Sequence, residues 1–149
     1  MLRKTRKALV LSAAVTTLLA GTSFAPAHAD AAEPGVIITD GDRVHLSSTP
    51  PPTASAHGWW KKVSGPGDKA RVTVELQVKN ADGSWRTVAT GSKVVKPGGG
   101  SARRANARKQ CVNVRRTISW RSVIDVDIIG VIDSPEKAAT APQSLRCAV

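Results

Sequence analysis

The chain has no tyrosine, and its single phenylalanine is Phe24. Trp59, Trp60, Trp85 and Trp120 supply all the other aromatic rings. Any core must therefore be filled by Val, Ile, Leu and Ala, and the β-branched share of that set favours strands. Only two cysteines are present, Cys111 and Cys147. Without histidines at ligand spacing they make no zinc site. No apolar run reaches the roughly 20 residues a membrane-spanning helix needs. The longest, Ala8 to Ala20, is interrupted by Ser12, Thr16 and Thr17 and stops at Gly21-Thr22-Ser23.

The signatures of common catalytic sites are also missing. No serine sits in Gly-x-Ser-x-Gly. Gly98-Gly99-Gly100 is not followed by the Gly-Lys-Ser/Thr of a phosphate loop. Asp40-Gly41-Asp42 lacks the later acidic ligands of a calcium loop. His45 and His57 fall in no nucleophile or metal pattern and are read as structural. Asp125 and Asp127 are two apart, so they share one strand face about 7 Å from each other, and are read as the wet side of a half-buried strand. The expectation is a non-enzyme with no catalytic residues, no metal and no cofactor.

What is present begins with an export signal. Arg3, Lys4, Arg6 and Lys7 form a basic front with no acid among them. The short apolar run follows, and Ala27-His28-Ala29 offers the small residues of a cleavage site. Residues 1–29 are read as a signal peptide cleaved after Ala29, with Ala31 as the alternative position. No Arg-Arg pair precedes the run, which favours general secretion, and no cysteine follows it to carry a lipid. The protein is expected to be secreted, with no stable membrane anchor. Export makes a Cys111–Cys147 disulfide the expected state of the two cysteines. Closing that loop contributes about 4 kcal/mol in the chain-entropy model.

Residues 30–149 are read as one β domain. Residues 30–35 form a frayed start, and fraying as far as 42 is the alternative to short strands at 36–39 and 43–47 around an Asp40-Gly41 turn. Pro50-Pro51-Pro52 marks a loop, and 58–63 a strand. Val72, Val74, Leu76 and Val78 alternate with polar residues, so one face is buried and one is wet. With the turn residues Asn80-Ala81-Asp82-Gly83, this predicts a hairpin over 71–90. Gly91 is read as a break, 93–95 as an extension of the sheet, and 102–109 as one or two helical turns. A second β-run covers 117–132, ends at Ser134-Pro135, and is followed by a last strand at 144–148. About seven to eight short strands and no long helix predict an all-β fold, an antiparallel β-sandwich or small barrel.

Charge is unevenly spread. The four basic residues of the leader leave 18 basic and 11 acidic residues in the remainder. Between Gly83 and Ile124 there are ten basic residues and no acid: Arg86, Lys93, Lys96, Arg103, Arg104, Arg108, Lys109, Arg115, Arg116 and Arg121. Arg103, Arg104, Arg108, Lys109, Arg115 and Arg116 are the densest part and the candidate anion-binding residues. Arginine dominates lysine there, as phosphate or carboxylate recognition favours. Trp59-Trp60 is the candidate stacking pair. Adjacent strand residues point to opposite faces, so one indole enters the core. The outer one, beside Lys61 and Lys62, is either covered by the proline loop, the preferred reading, or left to stack on a sugar or partner.

VTVELQVKNADGSWRTV at 72–88, ARKQC at 107–111 and WRSVIDVDIIG at 120–130 together resemble small exported proteins of high-GC Gram-positive bacteria. That resemblance covers most of 58–148 and implies a compartment, without an activity. Exported subtilisin-type inhibitors of such bacteria are small α/β domains with two disulfides, which this chain's cysteines cannot supply. The functional expectation is a secreted, non-catalytic β-sandwich that binds an anionic cell-wall or extracellular polymer through the basic stretch at 86–121. The alternative is an inhibitor or antagonist of an extracellular enzyme, using Gly98 to Lys109 as its inserted segment. An unrecognised hydrolase ranks third.

Overall fold

The computed structural model describes residues 34–47, 49–132 and 137–149. The leader at 1–29, its cleavage position after Ala29 and the Ser134-Pro135 stop lie outside the described residues. The strands are β1 (Val36–Gly41), β2 (His45–Leu46), β3 (Thr53–Ser64), β4 (Ala70–Lys79), β5 (Trp85–Val95), β6 (Ala105–Gln110), β7 (Asn113–Ile128), β8 (Lys137–Ala139) and β9 (Gln143–Ala148). A single 3-10 turn at Ser101–Arg103 precedes β6. All pairings are antiparallel, and they form two sheets. The first sheet is centred on β3. Gly58 pairs with both Gly41 and Ala105, and Ser55 with both His45 and Arg108. Hence β1 and β2 follow one another along one edge of β3, and β6 lies along the other. The second sheet runs β5-β4-β7, with β8 and β9 both on the far edge of β7.

The sandwich closes without large aromatic content because one inner face is small and the other large. The first sheet points Ala54, Ala56, Gly58, Ala105 and Ala107 inward, with Trp60 as its one fully buried bulky group. The second points in Val72, Val74, Leu76, Val78, Trp120, Ile124 and Val126. At Gly58 an added Cβ would lie 2.8 Å from Val74 Cγ2 and 2.9 Å from Ile124 Cγ2. Such interlocking gives the close packing that a core requires. The two buried indoles are satisfied: Trp60 Nε1 donates to Val95 O at 3.2 Å and Trp120 Nε1 to Cys147 O at 2.9 Å. The disulfide Cys111–Cys147 forms, with its Cα atoms 4.9 Å apart. It ties the end of β6 in one sheet to β9 in the other. Among the described residues no helix is long and apolar enough to cross a membrane.

The hairpin over 71–90 and the alternation of β4 stand as predicted, and several other expectations change. The strand read at 36–39 does form, as 36–41, so the frayed alternative does not hold, but Asp40-Gly41 is no hairpin turn. β1 continues towards β2 along the same neighbour, with one extra residue between Gly41 and His45. β3 starts at Thr53, directly after the last proline, because each following residue again has an N–H to give. Gly91 lies within β5 and does not break it. An added Cβ there would come within 1.9 Å of Asn106 O, so the missing side chain is what lets β6 approach. The segment expected to be helical, 102–109, is the 3-10 turn followed by β6. Its alanines favour a helix locally, but Ala105 and Ala107 alternate with polar residues and pair with β3. β7 starts and ends about four residues earlier than read, and Gly130 at φ 78° turns the chain beyond it. β8 escaped the reading because three residues are too few to show a period.

Candidate functional site

The outer face of the first sheet gathers the chemistry. Along β3, Ser55, His57 and Trp59 point away from the core, since Ala54, Ala56, Gly58 and Trp60 point into it. The register then sets a neighbour on each side. His45 and Arg108 flank Ser55, and Asn106 lies beside His57. Asp40 lies beside Trp59, and Arg104 sits 5.6 Å over the Trp59 ring. Asp42, at the bend between β1 and β2, completes the middle row: its N–H donates to His57 O at 3.1 Å. Cross-strand neighbours on one face stand about 5 Å apart. The result is an acid-and-histidine edge, a central strand carrying His57 and Trp59, and an arginine edge.

Most of these groups are held. Asp42 Oδ2 lies 2.7 Å from His57 Nδ1, and Asp42 Oδ1 accepts the His57 backbone N–H. His45 stacks on His57 with ring centroids 5.7 Å apart and planes 19° apart. Asn106 Nδ2 donates to Ser55 Oγ at 2.9 Å, and Arg108 Nη2 to Ser47 Oγ at 3.4 Å. Asp40 is engaged by Lys61 at 3.2 Å. Gly41 makes the bend at Asp42 feasible: a Cβ there would lie 2.5 Å from Ile124 Cδ1 and 2.8 Å from His57 O.

The six predicted anion-binding residues do not form one patch. Arg104 and Arg108 share the outer face just described. Lys109 pairs with the inward-facing Ala54, so it points to the other side of β6, half-buried. Arg103 closes its own loop, Nη1 donating to Pro97 O at 2.9 Å. Arg115 and Arg116 belong to the second sheet, where their backbone N–H groups both donate to Asn113 Oδ1. Arg116 there lines a hollow of about 210 Å3 with Lys79 and Arg86. Among the described residues, none of the ten cations from Arg86 to Arg121 forms an ion pair; the lysines that do are Lys61, Lys62 and Lys137.

On the outer face of the second sheet, two carboxylates share one lysine. Lys137 lies 3.6 Å from Asp125 and 3.5 Å from Glu75, and the two carboxylates hold its ammonium above the usual lysine range, Asp125 more strongly. Arg121 donates to Gln77 Oε1 at 2.8 Å and lies 4.4 Å over Trp85. Asp125 thus belongs to a wet, paired strand face, as read.

Trp59 and Trp60 diverge as expected. Trp60 has no exposed surface. Trp59 is half-buried, and what lies over its ring is Gly99 and Arg104 where the proline loop was expected: a Cβ on Gly99 would stand 3.1 Å from Trp59 Nε1. Arg104 Nε is buried there with no hydrogen-bond partner. The segment proposed for enzyme inhibition shrinks, since 105–109 is built into β6 and only the residues up to Arg104 lie outside the strands. The cluster of Asp42, His45 and His57 was missed by sequence reasoning. Asp42 and His45 are three positions apart and His57 is twelve further on, so no shared period along the chain marked them. The chain matches no known protein family and no curated protein.

Proposed function

We propose that the protein is exported and binds an anionic polymer outside the cell, without catalysis, through Arg104 and Arg108 on the outer face of the β3 sheet. The observation that carries the reading is the pairing state of that edge. Both arginines face the same way, about 13 Å apart along β6 and the extended residue before it, and neither has a carboxylate partner among the described residues. The acids across the sheet are already engaged, Asp40 by Lys61 and Asp42 by His57. An incoming anion therefore meets guanidinium groups whose charge is not already spent. Trp59 packs beneath Arg104 and limits its motion, which lowers the entropy cost of ordering that side chain on binding. The formed disulfide supports an oxidising compartment.

The test is retention on immobilised heparin and on purified anionic wall polymer in a salt gradient. The protein is expected to be retained, and Arg104→Glu/Arg108→Glu to elute early. Each lost phosphate-type contact should reduce the log–log salt slope by about one. Arg115→Glu/Arg116→Glu, on the other sheet, should shift elution less. Elution of the unaltered protein in the low-salt wash, or equal retention of the Arg104/Arg108 variant, overturns the reading.

A further inference from the structure

We infer that Asp42, His45 and His57 form a binding site for a divalent transition-metal ion of the zinc class. One carboxylate oxygen and two ring nitrogens, one from each residue, all lie within 4.8 Å of one another. Imidazole and carboxylate are the ligands zinc takes, at about 2.0–2.2 Å. In a tetrahedral site such atoms stand about 3.3 Å apart. The widest pair must therefore close by about 1.5 Å, while the 2.7 Å contact between Asp42 Oδ2 and His57 Nδ1 opens by about half an ångström.

Two of the three residues are held to each other through the backbone, and the third is exposed. Asp42 and His57 are held to each other by one backbone bond, Asp42 N–H to His57 O, and one from the His57 backbone N–H to Asp42 Oδ1. Gly41 allows that approach. His45 is exposed on a strand of only two residues, so a side-chain rotation supplies the closing movement. Its Nδ1 lies 3.3 Å from the Arg43 carbonyl. With the proton donated there, Nε2 carries the lone pair for the metal, the arrangement by which a backbone carbonyl behind the ring orients a histidine ligand. A hydrogen-bonded Asp42–His57 pair alone would account for two of the three residues. It leaves unexplained why β2 brings a second imidazole onto the first.

Three protein ligands on an outward face leave the fourth position open to water or to an anionic group. Asp42 neutralises only one of the ion's two charges, so a bound metal adds positive charge to the face that carries Arg104 and Arg108. Metal and polyanion should then favour each other's binding, and linkage makes the effect reciprocal. The site stands on its own residues, and its test uses no polymer.

The experiment is calorimetric titration of tag-free protein with zinc chloride, paralleled by cobalt(II) binding followed by its visible absorption. One saturable zinc site per chain is expected, with cobalt bands that zinc abolishes. His45→Gln and Asp42→Asn should each weaken binding at least about tenfold. His45 is exposed and makes no core contact, so the His45→Gln protein should keep the far-ultraviolet circular dichroism of the unaltered chain. Absence of saturable one-to-one binding, or a His45→Gln protein that binds zinc as tightly as the unaltered one, overturns the inference. If the unaltered protein binds zinc but is not retained on heparin, the polymer reading falls and the metal site stands.

Discussion

Opening the Cys111–Cys147 bond should remove a large share of this protein's stability. The bond spans 36 positions of sequence, and the loop it closes contains all of β7 and β8. Restoring that loop's freedom in the unfolded chain costs about 4 kcal/mol, against a total of roughly 5–15 kcal/mol for an ordinary domain. The bond is also a link between the two sheets, so no local ladder substitutes for it. The cleanest perturbation is reduction of the unaltered protein, which breaks the link and leaves every heavy atom present. The Cys111→Ala/Cys147→Ala variant is the second arm. Alanine is preferred to serine because Cys147 has no exposed surface, and a hydroxyl buried there without a partner would add its own penalty of about 1–3 kcal/mol. Urea unfolding followed by tryptophan fluorescence provides the measurement, with thiol titration to verify reduction. With a slope near 2 kcal/mol/M, the midpoint should fall by about 2 M. A fall of less than about 0.5 M in both arms would refute the loop-entropy reasoning.

Three further outcomes follow from the packing and the turns. Gly41→Ala forces a methyl against Ile124 Cδ1 and His57 O. It should destabilise the fold by about 1–3 kcal/mol in urea unfolding and also weaken zinc binding by displacing Asp42. Trp120→Phe removes the indole donor to Cys147 O at full burial and should cost about 1–3 kcal/mol, whereas Trp85→Phe, half-buried at the surface, should cost less than about 1 kcal/mol. Asp82 accepts from the Ser84 N–H and Oγ, and these bonds hold its carboxyl below the usual range. Its stabilising contribution is therefore present above the ordinary carboxylate value and lost as pH falls through the depressed one. In acid unfolding, the gap between unaltered protein and Ser84→Ala should be constant near neutrality and shrink in that low window; a gap that widens with acid would contradict the assignment.

Which residues face inward was largely readable along the chain. Val72, Val74, Leu76 and Val78 alternate with polar residues, and all four are buried. Trp59 and Trp60 had to part company once they lay in a strand. Two cysteines allow one disulfide, and that one forms. Reading failed where local preference and tertiary pairing disagree. Ala102 to Lys109 has helix-forming residues, yet Ala105 and Ala107 become a strand because β3 offers partners and the opposite sheet leaves room only for small side chains. Gly91 looks like a break from either side along the sequence. Only the carbonyl of Asn106, from another strand, explains why it has no side chain.

The candidate sites divide in the same way. The acid-free basic stretch is plain in one dimension, but Arg108 and Arg115, seven positions apart, end in different sheets. Conversely, Asp42 and His57 lie fifteen positions apart and share three hydrogen bonds. The period of a strand assigns each residue to a face, and that information is local. Which residues on a face become neighbours depends on register and strand order, and these are set by contacts between segments distant in sequence. The amino-acid order thus gave an all-β chain with a basic middle and one disulfide. Folding alone placed two histidines, an aspartate, a tryptophan and two arginines on a single face.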